Sequence, residues 1–335
     1  MRRRHRSTRC GLPAGVLVLL AACTGPAHPG AVHSTTTTTV AVPPSTAAST
    51  TSPTATGAEG VPAFSHVFVV VMENLGASTA MTVPAFAALA QRYQYTTGWY
   101  AAGHPSLPNY LALVSGSTWG ITSDCTSCYV SGPNLGAQLT AAGVSWGAYF
   151  EAMPSPCFLG PQSPDGLYAQ KHDPFAYFTD IRDNPAACAH LKPLSGLTPL
   201  LAGAASAVPR FVWVTPDLCH DGHDCAAATA GAWLESFVSE ITASPAWSDG
   251  GVLFVAWDEG DTATGLDPAS GRTGVAGGGN VLGLVIAPGR PSGRQLPGPF
   301  SHYGLLRTVE DAFGLPRLGA ANDAGVVPLS AFFSG

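Results

Sequence analysis

Charged residues are scarce in this chain of 335 residues, and basic residues are the scarcer kind. Lysine and arginine number 15 against 21 aspartates and glutamates, so the net charge is −6 and only 11% of residues are charged. A protein that binds nucleic acid needs a basic surface to meet the phosphate backbone. The composition therefore predicts no nucleic acid partner. Small phosphate esters stay compatible with it, because their binding depends on local charge and metal.

The apolar stretch near the N-terminus, which ends with Leu17 to Ala22, is too short to span a bilayer. Basic residues precede it and small residues follow, so residues 1–22 are predicted to be a signal peptide. The junction Leu20-Ala21-Ala22-Cys23 resembles the lipobox of bacterial lipoproteins. That resemblance implies a lipid on Cys23 and attachment to the outer face of the cell membrane. The alternatives are a plain secretory signal and the twin-arginine route, which the segment RRRHR matches poorly.

Residues 23–60 are almost entirely Ser, Thr, Pro, Ala and Gly, and Thr35 to Thr39 is an unbroken threonine run. Such a segment cannot bury enough apolar surface to offset its ordering entropy, so it is predicted to be a disordered tether. The remaining residues, 61–335, have the size of one large α/β domain.

Six cysteines lie in the predicted domain: Cys125, Cys128, Cys157, Cys188, Cys219 and Cys225. An even number in an exported protein indicates three disulfides, and pairing of neighbours along the chain is one of the 15 pairings that six cysteines allow. The Cys125-x-x-Cys128 spacing also fits half of a zinc site or a redox pair, but the chain has no second Cys-x-x-Cys.

Short apolar runs alternate with stretches of helical spacing, which predicts βαβ units and therefore an α/β fold whose central sheet is mainly parallel and flanked by helices. Strands are predicted over 66–72, 145–153, 210–214, 251–257 and 281–287, and helices over 83–93, 107–113, 134–142, 229–244 and 303–313. Long loops, where sites are often built, are expected over 154–209 and 260–280.

Polar residues follow three of the predicted strands directly. They are Glu73-Asn74, Asp258-Glu259 and the run Asp217 to Asp224. In parallel sheets, ligands bind beyond the carboxyl ends of the strands, so these groups are expected at one edge. Acids and amides also end strands as ordinary caps and turns. Two adjacent acids after an apolar strand nevertheless need a counter-charge, which a divalent cation would supply.

Ser106 stands where a predicted helix begins, so its neighbouring amides would favour an anion. A serine there is either an N-cap or a nucleophile, and the nearby His104 adds to the chemical interpretation. The loop from His220 to Asp224 holds four titratable side chains in five residues. His302 precedes the last helix, where a lone histidine is more often a cap or a packing residue.

Five stretches together resemble the phosphoesterase family that includes bacterial phospholipases C and bacterial and fungal acid phosphatases. They are VVVMEN, HPSLPNYLAL, TPDLCHDGHD, WDEGD and SHYGLLRTVED, and they follow one another in the family's order. The HPSxPNY form and the DGHD loop look closest to the acid phosphatases. The resemblance implies an alkaline-phosphatase-like fold and hydrolysis of small phosphate esters.

By this resemblance Ser106 is the nucleophile that becomes phosphorylated. The metal and phosphate positions correspond to Glu73, Asn74, Asp258 and Glu259. The residues around the phosphoryl group correspond to His104, His223 and His302, with Asp221 in the same loop as His223. The resulting hypothesis has one divalent metal held by Glu73, Asp258 and Glu259, which activates the Ser106 hydroxyl. His223 is then the first choice to protonate the leaving alcohol.

After Glu73-Asn74 the phospholipase branch continues with Arg-Ser-Phe-Asp-His, whereas this chain has Leu75-Gly76-Ala77-Ser78. A phosphomonoesterase is therefore favoured over a phospholipase C or another phosphodiesterase on the same site. A surface binding lipoprotein without catalysis is a further alternative, although Ser106, Glu73 and Asp258 are all present. A sulfatase-like relative would need an arginine that Ser106-Leu107-Pro108-Asn109 lacks.

Overall fold

The computed structural model describes residues 58–334. The predicted signal peptide, Cys23 and nearly all of the predicted tether lie outside the described residues. The last three tether residues, Ala58–Gly60, form a short 3-10 turn in which Glu59 pairs with Arg307 at 2.7 Å and Arg317 at 3.2 Å. Within the described range, the helices fall short of the length and apolar character that a bilayer crossing requires.

The strands and helices alternate along most of the chain. The strands are β1 (His66–Met72), β2 (Gln94–Tyr100), β3 (Trp146–Phe150), β4 (Leu191–Pro193), β5 (Phe211–Thr215), β6 (Gly251–Trp257), β7 (Thr264–Asp267), β8 (Arg272–Ala276), β9 (Asn280–Ile286) and β10 (Phe300–Ser301). The helices are α1 (Ala77–Ala80), α2 (Pro84–Arg92), α3 (Ser106–Ser115), α4 (Leu135–Ala141), α5 (Thr179–Arg182), α6 (Pro185–Cys188), α7 (Thr198–Leu201), α8 (Ala227–Ala243), α9 (Pro245–Ser248) and α10 (His302–Phe313).

Eight strands form the central sheet in the order β10-β2-β9-β6-β1-β5-β3-β4, and β7 pairs with β8 in a separate hairpin. β9 is antiparallel to both of its neighbours, β2 and β6, while every other adjacent pair in the sheet is parallel. The predicted α/β class with a mainly parallel sheet is thus confirmed. The carboxyl ends of β1, β5 and β6 lie side by side, which brings the three polar strand ends together.

The middle of the sheet is the core of the domain. All seven residues of β1 and all seven of β6 are buried, as expected for parallel strands covered on both faces. Among the helices, α3 packs against α10 and α2 packs against α8. Gly231 permits the second contact, because a Cβ at this position would lie 2.8 Å from the Cβ of Ala85.

Three disulfides join neighbouring cysteines along the chain: Cys125–Cys128, Cys157–Cys188 and Cys219–Cys225. The neighbour pairing is therefore confirmed, and Cys125 and Cys128 form a disulfide rather than half of a zinc site. The third disulfide closes the loop that carries Asp221 and His223, so it fixes a segment at the edge of the sheet.

Candidate active site

Glu73 lies at the end of β1 at the centre of a buried polar cluster. Its carboxylate is almost fully buried and accepts hydrogen bonds from Ser106 Oγ at 3.0 Å and Tyr110 Oη at 2.6 Å. The next residue, Asn74, has a φ of 55°, a left-handed conformation that asparagine tolerates better than most residues. In this conformation the backbone N–H of Asn74 donates to Asp258 Oδ1 at 2.9 Å. The ends of β1 and β6 are thereby tied together.

Ser106 is the first residue of α3, and its side chain is directed at Glu73 rather than at the helix. Pro105 occupies the N-cap position, and no side chain of that position caps the helix. The N-cap interpretation of Ser106 is therefore wrong, since its hydroxyl makes no bond to the first-turn amides. The Leu107 amide instead donates to Asp124 Oδ1 at 3.0 Å. The serine hydroxyl is thus left available to the polar cluster.

Asn109 explains how the turn before Ser106 is held. This fully buried side chain accepts from the amides of Ala102 and Gly103, both at 2.9 Å, and donates to the carbonyls of Gly103 and Pro105 at 2.8 and 3.1 Å. Because one amide side chain satisfies four backbone groups, the turn has a fixed shape. Asn109 therefore positions Ser106.

Asp258 and Glu259 follow β6 but have different surroundings. Burial raises the pKa of the Asp258 carboxyl, and its Oδ2 has no hydrogen-bond partner in the described chain. Glu259 Oε2 lies 2.9 Å from His104 Nδ1 and accepts a longer bond from Asn109 at 3.4 Å. Burial, and then the Asp258 charge, raise the pKa of Glu259 to about 7. In this structure the Glu259 carboxylate is directed to His104, while Asp258 stays beside Glu73 and Ser106.

The loop after β5 brings Asp221 to the same cluster. Its carbonyl accepts from the Glu73 amide at 3.0 Å, and its Oδ1 accepts from the His223 amide at 2.7 Å. Burial raises the pKa of Asp221 to about 8. Its remaining oxygen, Oδ2, lies 3.3 Å from His172 Nδ1. The loop is thus bonded to the end of β1 through its backbone, while the Asp221 side chain orients the loop itself and faces His172.

His172 and Lys171 belong to this site, but the sequence did not single them out. Nε2 of the buried His172 lies 3.3 Å from Glu73 Oε1, and its ring stacks on Tyr110 with centroids 5.2 Å apart. Lys171 Nζ lies 3.0 Å from both Asp124 Oδ2 and His223 Nε2. These residues lie between β3 and α5, in the stretch 154–209 that was predicted to be one long loop but in which the structure forms α5, α6, β4 and α7. The run Lys171-His172-Asp173 is a dense titratable cluster. That density of titratable residues was the signal in the sequence that could have identified Lys171 and His172 as site residues.

The histidines expected around the phosphoryl group are held by protein partners. His302 is fully buried, accepts from the Trp99 indole at 3.0 Å and lies 2.6 Å from the Asp258 carbonyl through Nε2. Burial lowers the pKa of His302 to about 4. His104 Nε2 lies 2.9 Å from the Thr262 carbonyl, in addition to its contact with Glu259. His302 therefore orients the Asp258 backbone, and His104 joins two loops at the rim.

The cluster can hold a divalent cation. One donor atom from each of Glu73, His172 and His223 lies within 4.8 Å of the others. Asp258 Oδ2, Asp221 Oδ2 and His172 Nε2 are buried, and none makes a hydrogen bond within the described residues. Burial, and then repulsion from Asp258 and Asp221, raise the pKa of Glu73 well above its usual value. A cation among these carboxylates would remove both the repulsion and the unpaired atoms.

The sequence profile of the Phosphoesterase family matches residues 54–316, which is most of the chain. The chain belongs to the Phosphoesterase family. The chain is similar to several named phosphatases. A phosphatidylinositol-3-phosphatase of Mycobacterium tuberculosis is 31% identical over 80% of this chain and 83% of its own length. A probable acid phosphatase of Kluyveromyces lactis is 26% identical over 80% of this chain and 63% of its own length.

The similar fungal acid phosphatases are longer proteins, and this phosphoesterase spans about three fifths of each of them. Among solved structures, a Pseudoalteromonas sulfatase, PsFucS1, matches 81% of the chain and 72% of its own length, with a TM-score of 0.51 and 13% identity. At that identity the similarity shows a shared fold alone. A protein in the alkaline phosphatase superfamily from Vibrio parahaemolyticus matches with a TM-score of 0.49, 13% identity and coverage of 75% and 67%. The phosphoesterase is a phosphoric ester hydrolase.

Proposed function

We propose that this phosphoesterase hydrolyses phosphomonoesters through a phosphoserine intermediate on Ser106, with the help of one divalent metal. The observation that carries the proposal is the hydrogen bond of 3.0 Å from Ser106 Oγ to Glu73 Oε2 at the start of a ten-residue helix. This contact orients the Ser106 hydroxyl at the carboxylate cluster that would hold the metal. It also places that hydroxyl at the amide end of a helix, where a phosphoryl group is stabilised.

In the first step the Ser106 oxygen attacks phosphorus, the ester P–O bond breaks, and the leaving alcohol oxygen takes a proton. Glu73 Oε2 orients the serine hydroxyl, whose proton passes to solvent water, and Tyr110 keeps the other oxygen of that carboxylate in place at 2.6 Å. Water then attacks the phosphoserine, which releases phosphate and restores the serine hydroxyl. The exposed Asn74 side chain, which donates to Glu73 at 3.2 Å, is placed to contact phosphoryl oxygens.

The residues that fit the metal are Glu73, Asp258, Asp221 and His172, with Ser106 and Asn74 next to them. When bound there, a divalent cation would neutralise phosphoryl charge and lower the pKa of the serine hydroxyl. Glu259 has a separate role in this proposal, because its carboxylate orients His104. The proposed metal set thus adds His172 and Asp221 to the set expected from the resemblance and leaves out Glu259.

His223 is the group proposed to protonate the leaving alcohol. Lys171 determines whether Nε2 of His223 is free to do so. His223 Nδ1 lies 2.6 Å from Asp224 Oδ1, so this nitrogen carries the proton and Nε2 accepts from Lys171. When an anionic substrate draws the Lys171 ammonium away, Nε2 is free to take up a proton and pass it on.

A monoester substrate is favoured because the named relatives are an acid phosphatase and a phosphatidylinositol-3-phosphatase. Activity should be measured on p-nitrophenyl phosphate and phosphatidylinositol 3-phosphate beside bis-p-nitrophenyl phosphate and a phosphatidylcholine. The proposal expects turnover of monoesters to exceed that of diesters. Preferred cleavage of either diester would instead assign a phosphodiesterase or phospholipase C reaction to the site.

The phosphoserine is tested by replacing Ser106 and by trapping the adduct. Ser106→Ala is expected to abolish turnover while the unfolding temperature stays near that of the parent. Ser115→Ala is the matched control, because Ser115 is the last residue of the same helix and its hydroxyl contacts two backbone carbonyls and the Trp119 indole rather than the Glu73 cluster. Acid quenching during turnover, followed by mass spectrometry, should locate phosphate on Ser106. Substantial phosphatase activity in Ser106→Ala would refute the assignment.

We also propose that the chain is exported and anchored to the membrane by a lipid on Cys23. The lipobox-like sequence before Cys23 and the three disulfides of the domain support this location. In a bacterial host, labelled palmitate should enter the parent chain but not Cys23→Ser, and Cys10→Ser is the matched control. Equal labelling of Cys23→Ser and the parent would exclude this anchor.

A further inference from the structure

A second group of metal-ligating side chains lies at the carboxyl edge of the sheet, next to the catalytic cluster but sharing no residue with it. Glu151 directly follows β3, Asp217 follows the neighbouring parallel strand β5, and His220 comes three residues later. One ligand atom from each residue lies within 4.8 Å of the others. Two strand ends and one turn thus converge on a single point.

Backbone amides hold the two carboxylates in orientation. Asp217 Oδ1 accepts from the amides of Cys219 and His220, both at 2.9 Å, and Glu151 Oε2 accepts from the Asp217 amide at 3.2 Å. The second Asp217 oxygen, Oδ2, faces His220 Nδ1 at 3.4 Å, and that nitrogen is 3.0 Å from Glu151 Oε2. Ligands held in this way need little reorganisation to bind a cation.

The charge around this group also favours a cation. Glu151 lines a cavity of about 390 Å³ whose described wall contains the further carboxylate of Glu240 and neither lysine nor arginine. Glu240 Oε1 is buried and makes no hydrogen bond within the described chain. Two carboxylates therefore face one imidazole, and Glu240 adds a further carboxylate to the cavity that Glu151 lines.

We infer that Glu151, Asp217 and His220 form a second divalent-metal site, separate from the catalytic centre and of the zinc class. One imidazole and two carboxylates, one of which lines a cavity that can hold water, are a donor set that zinc and similar transition metals accept. The ion would clamp the start of the loop that the Cys219–Cys225 disulfide closes. The same loop carries Asp221 and His223, so the site would stabilise the catalytic loop from its outer side.

Zinc ions can be counted on the full-length protein after chelator treatment, equilibrium dialysis against Zn²⁺ and elemental analysis. His220→Ala and Glu151→Gln are each expected to bind one ion fewer than the parent. Glu151→Gln keeps an oxygen that accepts the Asp217 amide, so it separates ligand loss from loop collapse. His190→Ala is the matched control, because its ring stacks on Trp146 away from the cluster. Circular dichroism in metal-free buffer checks that each variant is folded.

A catalytic-site variant separates this inference from the proposed function. Glu73→Gln should lose the catalytic ion while keeping the Glu151 site, and Zn²⁺ should still raise its unfolding temperature. Adding His220→Ala to Glu73→Gln should remove that increase. If His220→Ala and Glu151→Gln bind as many ions as the parent, the cluster is an ion pair of protonated His220 and the inference is overturned. That outcome leaves the phosphoserine proposal untouched.

Discussion

Lys171 Nζ lies 3.0 Å from His223 Nε2, and the same ammonium group lies 3.0 Å from Asp124 Oδ2. Asp124 in turn accepts from the Leu107 amide, directly after Ser106. The Asp124 carboxylate thus accepts from an amide at the helix N-terminus and pairs with a lysine. Both of these donors are groups that bind phosphate oxygens. In the proposed reaction the substrate competes with Asp124 for these donors.

Removal of the lysine charge tests this competition. Lys171→Met is expected to lower kcat/KM for a monoester at least about tenfold and to weaken inhibition by inorganic phosphate. Steady-state kinetics with and without phosphate provide the measurement. Lys192→Met is the control, since Lys192 lies over the Tyr149 ring outside the site. Unchanged phosphate inhibition in Lys171→Met would contradict a role for this ammonium in anion binding.

The Tyr110 hydroxyl should matter both for stability and for turnover. Tyr110→Phe removes the 2.6 Å hydrogen bond to a buried carboxylate, so metal-free protein should lose about 1–3 kcal/mol of unfolding free energy. Urea unfolding and kcat report the two effects. Tyr177→Phe is the matched control, because the buried Tyr177 hydroxyl makes no hydrogen bond in the described chain. Equal losses in both variants would show that the bond to Glu73 contributes nothing specific.

The stability of metal-free protein should fall as the pH rises. Burial raises the pKa of Asp221 from 3.8 to about 8, so the folded state binds a proton that the unfolded state has already released. Such a group stabilises the fold fully below its unfolded pKa, and this stabilisation is lost as the pH rises through about 8.

Thermal unfolding between about pH 5 and pH 8 measures this slope. The parent should melt at lower temperature as the pH rises, and Asp221→Asn should flatten the decline. Asp183→Asn, an exposed aspartate whose side chain is 66% accessible, should leave it unchanged. Saturating divalent metal should also reduce the decline, because a cation stabilises the ionised carboxylates. A steeper decline in Asp221→Asn would run against this account.

Removal of two of the disulfides, one at a time, should affect stability and catalysis differently. The Cys157–Cys188 bridge spans 31 residues and the Cys219–Cys225 bridge spans 6. By loop-closure entropy, Cys157→Ser/Cys188→Ser should cost about 1.5 kcal/mol more stability than Cys219→Ser/Cys225→Ser. Cys219→Ser/Cys225→Ser should lower kcat more, because that loop carries His223. Denaturant unfolding and steady-state kinetics on both double variants measure the two effects. If one double variant lost more of both stability and kcat than the other, the prediction would be contradicted.

The sequence best predicted the elements whose signal lies within a single short segment. β1 and β6 were predicted to the residue, because each is an unbroken apolar run with a polar end. Gln94–Tyr100 was missed as a strand, since its polar and aromatic residues form no apolar run and it pairs with the antiparallel β9. The predicted strand over 145–153 is shorter, ending at Phe150 before Glu151.

The candidate site was predicted only in part for a similar reason. Glu73 and Asp258 follow recognisable strands, so sheet topology brings them together, and Ser106 opens a recognisable helix. His172 comes from a long loop, and its contact with Glu73 and Asp221 depends on the tertiary path of that loop. The engagement of His302 by Trp99 likewise depends on β2, which the sequence pattern did not reveal. Pairwise contacts across long loops leave no periodic signal in the chain.

The direction of β1 determines from which side a substrate reaches the site. The chain enters this strand at His66 and reaches the Glu73 cluster only after its far end, about 20 Å away for seven extended residues. The edge of the sheet at which β1 begins is therefore remote from Ser106. A substrate approaches from the opposite edge, where the parallel strands β1, β5 and β6 all end.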